Sequence, residues 1–211
     1  MIAKLQRSRR WLILAVTLAA SITFALWWNH HKGDYFPKNF GVVEPGQIYR
    51  SGQLSPVLVK KTLANNNVKV VISLENNNPQ KPFQKAELEA CRDLGIEHLN
   101  FPLAGNGTGD VDRYVEAIAA MDAAVKEGKP VLVHCAAGAQ RTGGVVAAYE
   151  LLVRHKSPTD VRRQMLRYGW KPHEVVLINY VNAHMVELAT KLVDRKIIDR
   201  VPEPLPQIPE S

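Results

Sequence analysis

Residues 68–75, VKVVISLE, form a nearly unbroken β-branched run, and VLVHC at 131–135 repeats the pattern in shorter form. Apolar runs of this length predict strands buried on both faces of a sheet. Between them the period changes. Val111, Val115, Ile118, Met121 and Val125 fall on one helical face, and the segment around 83–94, closed by Gly95, predicts another helix. Two further strand candidates lie in GQIYRSG (46–52) and IEHLNFPL (96–103). Ser55-Pro56 and Ser157-Pro158-Thr159-Asp160 read as helix openings, a cap residue with proline in the first turn. Beyond residue 135, helices are expected over 143–156, 158–168 and 174–196, and the proline-rich VPEPLPQIPES reads as a solvated tail. Strands alternating with helices predict an α/β fold, a central and mostly parallel sheet flanked by helices.

The N-terminus follows another pattern. WLILAVTLAASITFALWW, Trp11 to Trp28, is 18 residues without a charge, and the ten residues before it hold Lys4, Arg7, Arg9 and Arg10 and no acid. That length is enough to cross a bilayer, and the basic flank favours a cytoplasmic N-terminus. The alternative is a signal peptide cleaved near Thr23-Phe24-Ala25. Either reading exports the rest. The expected organisation is a basic cytoplasmic flank (1–10), a transmembrane anchor or signal segment (11–28), a linker (29–39), one α/β domain (40–196) and the tail (197–211). The domain would be held at the inner membrane on the periplasmic side, or released to the periplasm after cleavage.

Of the 211 residues, 46% are hydrophobic and 22% charged, which suits one globular core. The net charge of +7 falls to +3 without the four basic residues of the first ten, and no other basic block occurs, so nucleic-acid binding is not indicated. Oligomeric state leaves no trace in the pattern. The seven histidines form no metal-ligand spacing. Cys91 and Cys135 are too few for a disulfide framework, and Cys91, inside a helical pattern, reads as a small core residue.

Cys135 is different. In HCAAGAQRTG, residues 134–143, the thiol ends a strand and is followed by small residues and a new helix. Backbone N–H groups converging at a helix N-terminus make an anion cradle. Gly138 relieves the turn, the alanines keep side chains out, and Arg141 can close the cradle with a planar fork suited to phosphate oxygens. In that field the thiol ionises more easily. A thiolate inside an anion cradle describes phosphoryl transfer to sulfur.

The stretch resembles the HCx5R[S/T]G signature of the cysteine-dependent tyrosine and dual-specificity phosphatases. With IYRSGQ (48–53), VVISL and FPL (101–103), residues 40–185 are similar to the compact atypical dual-specificity phosphatases of plants, fungi and bacteria, the exported bacterial type above all. The resemblance implies Cys135 as nucleophile and Arg141 as phosphate clamp. The amides of Ala136, Ala137, Gly138, Ala139, Gln140 and Arg141 would form the cradle, Thr142 would stabilise the leaving thiolate, and His134 would orient the loop from behind. It implies no cofactor and no metal. The substrate would be a phosphorylated protein or a lipid phosphate. Relatives acting on inositol phosphates carry basic residues inside the loop, whereas here the five variable positions are Ala-Ala-Gly-Ala-Gln. A sulfurtransferase and a non-catalytic phospho-binding domain are the other readings of a loop cysteine.

The family's general acid is an aspartate on the loop before the helix that precedes the nucleophile strand. AGNGTGDVD offers Asp110, directly after the flexible glycines, and Asp112, inside the helix start. Many relatives place it slightly earlier, where this chain has Asn106 and Thr108. Both aspartates also suit simple helix capping. An exported thiolate would further make activity depend on reductant, through Cys135 oxidation or its pairing with Cys91.

Overall fold

Strand order sets where the loop that carries Cys135 and Arg141 opens. The structure, a computed structural model, describes residues 2–209, with side chains for all of these except 2–10, Leu12 and His30. The side chains of the expected basic flank therefore lie outside the described residues. The chain divides into two compact units, residues 1–36 and 37–211.

The first unit is one helix, α1 (Ile2–Tyr35). Its apolar side chains, Ile13, Leu14, Val16, Leu18, Ile22 and Phe24 among them, are exposed. Aromatic rings cluster towards its C-terminal end, Phe24 with Trp27 and Trp28, and Trp28 with Tyr35. The transmembrane expectation is not met in full: among the described residues no helix is long and apolar enough to cross a membrane. Leu12, inside the expected span, has no described side chain.

The second unit runs β1 (Gly41–Glu44), β2 (Ile48–Gly52), α2 (Val59–Asn65), β3 (Val70–Ser73), α3 (Pro82–Leu94), β4 (Glu97–Asn100), α4 (Val111–Lys126), β5 (Val131–Cys135), α5 (Gln140–Leu152), α6 (Pro158–Arg167), α7 (Val175–Ala183) and α8 (Met185–Asp194). The sheet order is β1-β2-β5-β3-β4. β5 pairs in parallel with β2 and β3, β3 with β4, and β1 alone is antiparallel. β5 is thus central, and its carboxyl end opens between two parallel neighbours, where ligands bind in open α/β sheets.

Strand alternation sorts the core into two layers. Val131, Val133 and Cys135 join Val70 and Ile72 in the larger cluster, with residues from α4 to α8. Leu132 and Val71 join the smaller one, with Leu63 of α2 and Ala90 and Cys91 of α3. Cys91 and Cys135 therefore sit on opposite faces of the sheet as free thiols, which rules out the expected pairing in this fold.

Four local expectations are corrected. Ser55-Pro56 opens a turn, not the helix: α2 starts at Val59, and the Ser55 carbonyl, not its hydroxyl, accepts from the Leu58 and Val59 amides. The helix expected from 143 begins at Gln140, so the loop after Cys135 winds directly into α5. The helix expected over 174–196 breaks at His184, whose Nδ1 hydrogen-bonds the Tyr180 carbonyl at 2.8 Å. The tail is not free. Ile208 is 1% exposed, and its amide and carbonyl are both bonded by the Asn182 side chain at 2.9 Å.

Candidate active site

The loop between β5 and α5 is built by turning its carbonyls outward. The Ala136 carbonyl accepts from Lys38 Nζ at 2.9 Å and from the Gln53 amide at 3.3 Å. The Ala137 carbonyl accepts from Asn39 Nδ2 at 2.7 Å, and the Gly138 carbonyl from Arg50 Nη2 at 2.7 Å. With three successive carbonyls engaged outside, the loop can turn its N–H groups towards the bowl. One is seen there: the Gly138 N–H points at Cys135 Sγ, 3.2 Å away. Gly138 has φ +75°, and a Cβ on it would come within 2.5 Å of the Gly52 amide, so both backbone shape and crowding require glycine.

Burial by itself would push the Cys135 thiol up. The Thr142 hydroxyl and amide, the Arg141 charge and the Gly138 amide outweigh it and pull the thiol below its ordinary range. Cys135, 1% exposed, thus ionises more readily than an ordinary thiol at the floor of the bowl. Arg141 is tied back by Nη1 to the Leu74 carbonyl at 3.3 Å, at the end of β3, which fixes the direction of its fork.

His134 lies on the other face of the sheet. Its Nε2 is 3.1 Å from the Glu87 carboxylate of α3, which also meets His98 Nε2 at 3.0 Å. Burial opposes charge on both partners, yet each holds the other ionised: His134 is raised above its ordinary value, and Glu87 is lowered to about 2. The pair is a buried strut from α3 to the residue before the nucleophile.

Asp110 is where the sequence placed it and does what a capping residue does: its Oδ1 accepts from the Asp112 amide at 2.9 Å at the N-terminus of α4. The preceding loop lies over the start of α5, since a Cβ on Gly107 would sit 3.2 Å from the Gln140 carbonyl carbon. Tyr114 of α4 and Tyr180 of α7 brace this loop, donating to the carbonyls of Gly107 and Gly109. Asp112 accepts from Lys191 Nζ at 2.7 Å, which holds its carboxyl below the usual range and unsuits it for proton donation.

Besides Lys38 and Asn39, two residues carry roles the sequence pattern did not announce. Arg50 is fully buried in β2, its Nη1 donating to Gln164 Oε1 at 2.9 Å and its guanidinium 4.3 Å from the centre of the Tyr168 ring. Burial pulls it down to about 10, against Tyr168, Glu150 and Cys135. The signal was available, because Ile48 faces the core and Arg50 follows at i+2 on the same face. Glu174 accepts a hydrogen bond from the Gln140 side-chain amide, and Trp170 Nε1 donates to the Glu174 carbonyl at 3.0 Å, so the 170–174 turn walls one side of the loop.

Comparison with known proteins points the same way. Residues 53–157 match the family model described as "Tc-R-P: Polymorphic toxin system, DSP-PTPase phosphatase". The dual specificity protein phosphatase OPG106 of vaccinia virus (strain Western Reserve) is 36% identical over 106 residues, 50% of this chain and 59% of the viral protein. The tyrosine-protein phosphatase CDC14 of Saccharomyces cerevisiae is 31% identical over 86 residues, 41% of this chain and 14% of the yeast protein. The chain thus spans well under two thirds of the curated relatives it matches. Among solved structures, P. aeruginosa TpbA aligns with a TM-score of 0.58 at 22% identity, over 74% of this chain and 91% of that one. The Siw14 catalytic core aligns with a TM-score of 0.62 at 18% identity, over 81% and 96%. At such identities the structures establish the fold. The matched family model, the curated relatives and the loop geometry all show similarity to the cysteine-dependent tyrosine and dual-specificity phosphatase superfamily.

Proposed function

We propose that the protein is a phosphate monoester hydrolase of the tyrosine/dual-specificity type, acting through a phosphocysteine on phosphorylated proteins. The observation that carries this reading is the Gly138 N–H aimed at Cys135 Sγ beneath a loop whose carbonyls are engaged outside. Such a cradle serves a dianionic phosphoryl group and the sulfur that attacks it together.

In the first step the Cys135 thiolate attacks phosphorus, the S–P bond forms and the P–O bond breaks, and the leaving oxygen takes a proton from the general acid. Arg141 follows the equatorial oxygens with its fork. We assign the acid to Asp110: it ends the loop that lies over the start of α5, and Asp112 is bound to Lys191. In the second step water displaces the sulfur, and Thr142, which favours the ionised thiol, stabilises the thiolate as it leaves.

The loop carries no cation at its five variable positions, which supports a single phosphate on a protein over a polyphosphorylated small molecule. One solved form of TpbA is a complex with pTyr, and we carry that substrate class over as phosphotyrosine first and phosphoserine/threonine second. We further propose that residues 11–28 hold the domain at the outer side of the cytoplasmic membrane. The supporting features are the uncharged run, the basic residues before it and the exposed apolar side chains of α1.

The test is a substrate panel: phosphotyrosine, phosphoserine and phosphothreonine peptides, a lipid phosphate vesicle, an inositol polyphosphate and thiosulfate. Highest kcat/KM on phosphotyrosine peptides, absent in Cys135→Ser, supports the assignment. Preference for the lipid or inositol phosphate would move the substrate class, and turnover of none would leave a phospho-binding domain.

A further inference from the structure

The peptide that joins Ala137 to Gly138 is held at one end and used at the other. Its carbonyl accepts from Asn39 Nδ2 at 2.7 Å, and its N–H points at Cys135 Sγ, 3.2 Å away. In a planar trans peptide the C=O and the N–H point in opposite directions, so whatever fixes the carbonyl also aims the N–H. Turning the plane over would put a carbonyl oxygen, the negative end of the peptide dipole, where the sulfur now meets a donor. Such a flip changes ψ of Ala137 and φ of Gly138 and little else in the chain. Glycine takes φ of either sign without a Cβ penalty, so Gly138, at φ +75°, offers no resistance of its own. Arg50 holds the carbonyl of Gly138, which belongs to the next peptide. The hold on this one comes from Asn39.

Asn39 is suited to it. Its φ of +45° lies in the left-handed region, which asparagine tolerates better than most residues, and it stands two residues before β1, outside the 53–157 segment that matches the family model. Its Nδ2 also lies 3.4 Å from the Tyr168 carbonyl at the C-terminal end of α6. Both partners are acceptors, which fixes the amide with its nitrogen towards the loop. Building on the phosphocysteine reading above, we infer that Asn39 is a positioning residue: its side chain locks the 137–138 peptide so that the Gly138 N–H faces the Cys135 sulfur. The Gly138 amide is among the groups that favour the ionised thiol, and a hydrogen bond to an ionised acceptor is stronger than one between neutral groups. Asn39 thus acts on the nucleophile through a single peptide.

The test reads the thiol directly. Iodoacetamide alkylation of Cys135, followed across pH by mass on the peptide that contains it, gives the pH at which half of the thiol is ionised, with no need of turnover. Asn39→Gly keeps the left-handed backbone, removes the donor and adds no charge. Asn39→Asp keeps the shape and replaces the donor with an oxygen that only accepts. In both, the alkylation midpoint should rise by about one pH unit as the sulfur loses its N–H. Below that midpoint kcat/KM for an aryl phosphate should fall about tenfold, in step with the thiolate fraction. A role confined to packing would lower the melting temperature and leave the alkylation curve in place. An unmoved curve in either variant, whatever its melting temperature, overturns the inference. An unsubstituted protein whose Cys135 alkylates readily but which turns over no phosphate would instead strike the phosphocysteine reading, and the alkylation curves would still decide the role of Asn39.

Discussion

The Arg50 guanidinium donates to the Gly138 carbonyl at 2.7 Å, and this contact holds the catalytic loop at its one left-handed residue. Arg50 also reaches Gln164 and lies against Tyr168, so it ties β2 to α6 behind the loop. Arg50→Met should destabilise the protein by about 2–4 kcal/mol, because the Gly138 carbonyl and Gln164 lose a buried donor. It should lower kcat/KM by about a hundredfold through misplacement of the loop. Arg50→Lys should not restore activity, since one ammonium cannot span two acceptors in a planar fork. Denaturant unfolding beside aryl phosphate kinetics checks this, and activity near the parent in Arg50→Lys would show that the fork is dispensable.

Asp110 can be separated from its capping role. Asparagine caps a helix about as well as aspartate, so Asp110→Asn should leave the melting temperature within a degree or two. If it is the acid, kcat/KM should fall by about a hundredfold or more for poor leaving groups and little for activated ones, and the alkaline limb of the pH-rate profile should vanish. The acid limb, set by Cys135, should stay below the ordinary thiol range. Equal losses on both kinds of substrate would leave Asp110 as a cap.

The Glu87–His134 strut predicts a stability profile. Glu87, lowered from 4.5 to about 2, contributes fully above its ordinary value and loses this as pH falls towards 2. His134, raised above 6.5, contributes fully below 6.5 and loses this as pH rises through its raised value. Their joint contribution is therefore greatest between about 4.5 and 6.5. Glu87→Gln should lower the melting temperature most inside that window and flatten its fall on either side, and an unchanged profile would mean the pair titrates as it does unfolded.

Oxidation should run through Cys135 alone. Cys91 is on the opposite face of the sheet, and burial pushes its thiol up to about 12. Peroxide should inactivate the enzyme at the same rate in Cys91→Ala as in the parent, with reductant restoring activity from the sulfenic stage. Slower inactivation or an intramolecular disulfide in the mass spectrum would contradict the sheet arrangement.

What the sequence disclosed follows from which signals are local. β3 and β5 were legible because strands buried on both faces are apolar throughout, and the Ser157 cap because Asp160 answers it three residues later. β1 was not, since GVVE is an antiparallel edge of four residues with no pattern of its own. The tail reads as solvated by its prolines, yet Ile208 and Asn182 dock it, a contact between residues 26 apart that periodicity cannot express. Cys135, Arg141 and Thr142 lie within eight residues of one another, so the signature brought them together. Arg50, Lys38, Asn39 and Glu174 reach the same loop from distant segments, and a buried arginine in a short strand resembles an exposed one until its neighbours are known.

The central claim is a covalent phosphoenzyme on Cys135. Mixing enzyme with excess phosphotyrosine peptide, quenching in acid within the first turnover and mapping the digest by mass should find phosphate on the peptide that contains Cys135. Cys135→Ser should lose it together with all turnover, while the melting temperature holds. Phosphate release with no adduct on Cys135, or Cys135→Ser activity within about tenfold of the parent, would contradict the account.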